Sequence, residues 1–93
     1  MSDAPDIEIP DDLIDLFRAY DTARAEVEAY SATLPAGELA ADQADELWRL
    51  RGVATAASEA VRHHPTMTEA RAASAYWQTD QALRAAARVA VAA

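Results

Sequence analysis

Between residues 13 and 34 apolar side chains recur at alternating steps of three and four: Leu13, Leu16, Tyr20, Ala23, Val27, Tyr30 and Leu34. That rhythm tracks the 3.6-residue turn of an α-helix and draws one apolar seam along its side, as in helices packed on other helices. Ile14 and Phe17 lie beside the seam and widen it near its start, which predicts more than one neighbour. The spacing returns at Leu47, Leu50, Ala54, Ala57, Val61 and His64, and again at Ala72, Tyr76, Thr79, Leu83, Ala86 and Ala90. Alanine, the strongest helix former, supplies 25 of the 93 residues, while Gly and Pro together supply six. So little turn chemistry argues against an all-β chain, and the expected fold is all-α.

Stop signals divide the chain. Residues 1–10 read as a flexible acidic arm bracketed by Pro5 and Pro10, and residues 11–93 as one helical domain. The first helix is expected over 11–33, with Asp11 and Asp12 at its positive end and Pro35-Ala36-Gly37 beyond it. The second is expected over 38–63. Gly52 costs it about 1 kcal/mol relative to Ala, but the seam keeps phase across Gly52, which predicts one continuous helix. Gly52, Ala56 and Ala60 form a small-residue row that predicts close packing of another helix within the fold. Pro65 ends this helix, and Thr66-Met67-Thr68-Glu69 fits a capping box opening a third over 67–91. Short turns make neighbours antiparallel, so the expected architecture is an up-down-up three-helix bundle. The large core anchors are Leu13, Leu16, Phe17, Tyr20, Val27, Tyr30, Leu47, Leu50, Val61, Tyr76 and Leu83. This is a thin core, and a homodimer built from long helical hairpins is the alternative architecture.

Charge narrows the function classes. The net charge is −8 and all eight cations are Arg, which disfavours nucleic acid and anionic membrane surfaces as partners. No apolar run approaches the ~20 residues of a membrane span. The acidic start lacks the order of a signal peptide, so a soluble cytoplasmic protein is expected. Residues 1–46 hold 13 acids and two Arg; residues 47–93 hold three acids and six Arg. Either the two halves pack together and offset each other, or the acidic half meets a basic protein surface, as a mimic or sequestering factor would.

Chemistry-bearing residues are few. With no Cys, disulfides and thiolate metal sites are excluded. Ser31, Ser58 and Ser74 fall inside expected helices without an obvious base, and two isolated glycines make no phosphate loop. No spacing forces Arg18, Arg24, Arg49, Arg51 and Arg62 to converge on an anionic substrate. An enzyme is not expected, nor a cofactor. His63 and His64 are the one pair that titrates near neutral pH. An up-down-up course brings them to Asp11, Asp12 and Asp15, where they either hold a divalent metal or act as a proton switch, or simply offset acids and the negative end of the second helix.

The aromatic residues point to partners. Trp48 and Trp77 lie beside their seams rather than on them. Each is either the edge of the domain's own core or an interface anchor. The candidate partner-binding set is Trp48, Trp77, Tyr76, Arg84 and Arg88, and the expected function is a small non-enzymatic protein–protein interaction module, regulatory or assembling, that binds itself or another protein. Tyr76-Trp77-Gln78-Thr79-Asp80 is similar to the Tyr-x-x-x-Asp/Glu export signal of small type VII secretion hairpins. Their Trp-x-Gly turn is absent, since Trp48 and Gly52 are four apart, and no family is assigned on that pentapeptide.

Overall fold

The computed structural model describes residues 7–92, and side chains over 7–89. It is all-helical: α1 Asp11–Ala32, α2 Ala41–Arg62, α3 Pro65–Ala72 and α4 Tyr76–Ala92, with no strand among the described residues. The first six residues of the expected arm, and the side chain of the seam residue Ala90, lie outside what is described.

Each boundary has a local cause. Pro10 takes the N-cap position of α1, and its carbonyl accepts from the Leu13 and Ile14 N–H groups at 3.1 and 3.2 Å. Asp11 and Asp12 therefore sit inside the first turn, where carboxylates favour the positive helix end, rather than at the cap. Gly37 makes the turn after α1 with φ +116°, a backbone region that side chains resist. The second helix begins at Ala41, three residues later than expected, and the Gln43 side chain accepts from the Ala40 N–H at 3.0 Å. It then runs unbroken through Gly52.

The expected third helix is two helices. At its start, His64 rather than Thr66 is the N-cap: the Thr66 N–H donates to His64 Nδ1 at 3.1 Å, and Pro65 occupies the first helical position. Proline at that position lacks only an N–H that would go unpaired anyway. The break comes after Ala72. Ala75 N–H donates to the Ala70 carbonyl at 2.8 Å and Ser74 N–H to the Arg71 carbonyl at 3.2 Å, with Ser74 at φ +58°. These are the paired bonds of a Schellman C-cap, with serine where glycine is usual.

The break swings α4 onto α1. Leu13, Phe17, Val61, Met67, Leu83 and Ala87 form the core cluster, flanked by Ile9, Ile14, Leu16, Tyr20 and Tyr76. It lies where the start of α1 and the end of α2 meet α3 and α4. Farther along the hairpin Ala23, Leu47 and Leu50 are buried outside that cluster. Extents of 54 × 29 × 21 Å and a radius of gyration of 16.5 Å describe a long body; a compact chain of this length would have roughly 12 Å. Among the described residues no helix is long and apolar enough to cross a membrane.

Candidate functional site

The two tryptophans stand out from this fold. Trp48 is 77% exposed and Trp77 71%, so neither is an edge of the core. The other members of the expected partner-binding set are differently placed. Tyr76 is half-buried against the core, with the Arg71 guanidinium 5.0 Å over its ring. Arg84 is occupied by Asp80 at 2.9 Å and lies 5.3 Å over the Phe17 ring. With Arg88, it borders a small hollow between α1 and α4 floored by Phe17 and Ala87. Tyr76 and Arg84 border one hollow, Arg84 and Arg88 another, and Trp48 a third on α2.

Trp48 has the more developed surroundings. It borders an open hollow of about 470 Å³ with Arg51, Gly52, Thr55, Ala56 and Glu59, all on α2. Arg51, Thr55 and Glu59 also border a second hollow, of about 420 Å³, whose opposite wall is Tyr20, Arg24 and Val27 of α1. One flank of α2 is thus continuous with the groove of the hairpin. Among the described residues no helix covers the small-residue row, contrary to expectation. Gly52, Ala56 and Ala60 are exposed, and a Cβ built on Gly52 meets nothing within 4 Å. Helix α4 packs on α1 instead.

Electrostatics separates the arginines. Arg49 donates from Nε and Nη2 to the two oxygens of Glu46, both at 2.7 Å, which holds the Glu46 carboxyl below its ordinary value and raises Arg49. Arg24 is held by Asp21 and Glu28 at 3.1 and 2.7 Å, and is raised by both. Among the described residues, Arg51, Glu59 and Arg62 have no ion-pair partner. No protein family, curated protein or solved structure matches the chain.

The histidines take other roles. His64 Nε2 lies 3.0 Å from Asp12 Oδ2, while Nδ1 accepts from the Thr66 N–H. An accepting Nδ1 carries no proton, so Nε2 carries it and donates to Asp12. That hydrogen bond lowers the Asp12 pKa from its ordinary 3.8. His63 is exposed at the C-cap of α2. The metal reading of His63 and His64 meets a single His–carboxylate pair, for among the described residues no three His, Cys, Asp or Glu side chains gather to hold an ion.

Sequence reasoning named Trp48 but passed over Arg51, Thr55, Glu59 and Arg62 as a set. Their signal was present: with Trp48 they repeat at steps of three and four, a second stripe beside the core seam.

Proposed function

We propose that this chain is a small non-enzymatic protein–protein interaction module, acting in regulation or assembly through its exposed helix faces. The single observation that carries the reading is the exposure of both tryptophans. An indole holds a large apolar area with few rotamers to immobilise, and is most valuable where a partner covers it. Trp48 also has an open, small-residue surface beside it that admits a helix.

The reading places the module in the cytoplasm and takes an up-down-up course for α1, α2 and the broken third rod. Substituting Trp48→Ala and Trp77→Ala, each in a sizing and capture assay, tests it. Loss of an assembly by either variant, with helical content kept, supports the reading. Unchanged assembly in both removes it.

A second reading has its own observation: the side chains of Asp11, Asp15, Asp21, Glu26, Glu28, Glu38, Asp42 and Asp45 are all exposed. This acidic half suits a basic protein surface, as a mimic or sequestering factor would. Capture of such a partner would collapse with added salt, because exposed charges are screened beyond about 10 Å at 0.1 M. Salt-insensitive capture would contradict it.

A further inference from the structure

We propose that the Trp48 flank of α2 joins two copies of this chain, as an antiparallel helix pair about a two-fold axis through Thr55. This rests on the interaction-module reading and names the occupant of that surface.

The observation is a symmetry in the spacing. Trp48, Arg51, Thr55, Glu59 and Arg62 follow steps of three, four, four and three, the same read from either end. All five are exposed. In a two-fold antiparallel pair, positions equidistant from the centre face each other, and every contact occurs twice. Centred on Thr55, Arg51 faces the second copy's Glu59, and Glu59 faces the second copy's Arg51. Trp48 faces the second copy's Arg62, a guanidinium set against an indole. A parallel pair in register would instead oppose Arg51 to Arg51 and Glu59 to Glu59.

The charges support that partner over an unrelated protein. Acids outnumber arginines two to one in this chain, 16 to eight. Yet among the described residues Arg51, Glu59 and Arg62 make no ion pair within the chain. A second copy brings the opposite charge to each of the first two at the required spacing. Close approach is also provided for. Gly52 and Ala56 lie beside Thr55, and among the described residues nothing stands over Gly52. Small residues at a crossing bring helix axes to the near end of the roughly 8–10 Å range.

Charge exchange tests the register on the full chain. Sedimentation of the wild type should show a dimer forming with concentration. Arg51→Glu and Glu59→Arg should each weaken it by about tenfold or more, since each sets like charges opposite twice. An equimolar mixture of the two variants should recover the dimer as a heterodimer, and the double exchange should recover it within one chain. Glu59→Arg is the sharper single variant, because it moves the net charge from −8 toward zero. The reduced long-range repulsion alone would then strengthen assembly. Circular dichroism melts confirm that each variant is folded. A monomeric wild type at every concentration, or folded single variants that dimerise like wild type, or a mixture without recovery, overturns the proposal. If the wild type dimerises and only Trp48→Ala weakens it, the register is wrong and the interaction-module reading stands. If neither Trp substitution alters any assembly, with self or another protein, that reading falls as well.

Discussion

Ser74 holds a left-handed conformation that costs a residue with a Cβ about 1–2 kcal/mol. Glycine at this position should raise the unfolding free energy by about 1 kcal/mol in urea denaturation; a loss of stability would show that the serine side chain is itself required there. His64 works at two atoms. Its Nδ1 caps α3 and its Nε2–H holds Asp12, so one ring ties the start of α1 to the start of α3. Replacing His64 with Ala should cost about 1 kcal/mol, the usual worth of an N-cap. Asp12 has its folded pKa depressed, chiefly by the hydrogen bond from His64. Its contribution is therefore present above the unfolded value of 3.8 and is lost as pH falls through the lower folded value. Carboxyl NMR titration should place Asp12 below 3.8 in the wild type and higher in His64→Ala; identical midpoints in the two proteins would contradict the pairing.

The first two elements were legible because their seams are long and punctuated. Leu13, Leu47, Leu50 and Val61 are buried on the seams the spacing drew, and Phe17 is buried beside its seam. The expected anchors Leu16, Tyr20, Val27 and Tyr30 are only half-buried, and α1 ends one residue short of its expected limit. The third rod was not legible. Ala72-Ala73-Ser74-Ala75 holds neither Gly nor Pro, and its helix propensity favours continuation. What ends α3 is tertiary: Met67 and Ala70 bury on one side of the break and Leu83 on the other, and no straight helix delivers both to the same core. Local preference yields to packing here, and serine bears the strained angle. The small-residue row misled for a related reason. It allows close approach without saying whose helix approaches, and α4 went to α1. Gly52 gives the element-scale prediction. Since a Cβ there meets nothing within 4 Å, Gly52→Ala should stabilise the isolated fold by about 0.5–1 kcal/mol, read by denaturation at low protein concentration. The added methyl should also weaken self-association, read by sedimentation. A variant both more stable and equally associated would place the crossing elsewhere on α2.

Across the molecule, stability is concentrated at one end. Leu13, Met67 and Leu83 are fully buried there, while Ala23, Leu47 and Leu50 of the hairpin are buried outside that cluster. Truncating Leu83 to Ala should cost about 2–5 kcal/mol and detach α4 from α1, a large share of what a domain this size has to lose. An unfolding free energy changed by less than 1 kcal/mol would show that α4 is dispensable. In the proposed dimer, the uncovered hairpin flank is the surface that a second hairpin completes. Self-repulsion from a net charge of −8 opposes that assembly. The proposed dimer therefore requires close packing and local charge pairing from this flank, at Gly52, Arg51 and Glu59. Trp48 reports on it directly. With Trp77 replaced by Phe, Trp48 is the only indole left, and its emission can be followed together with the sedimenting mass. Its spectrum should shift to shorter wavelength and its quenching by acrylamide should fall over the same concentration range in which the mass doubles. An indole that stays as open to quencher at the highest concentration as at the lowest, whatever the mass does, would contradict burial of this flank between two copies.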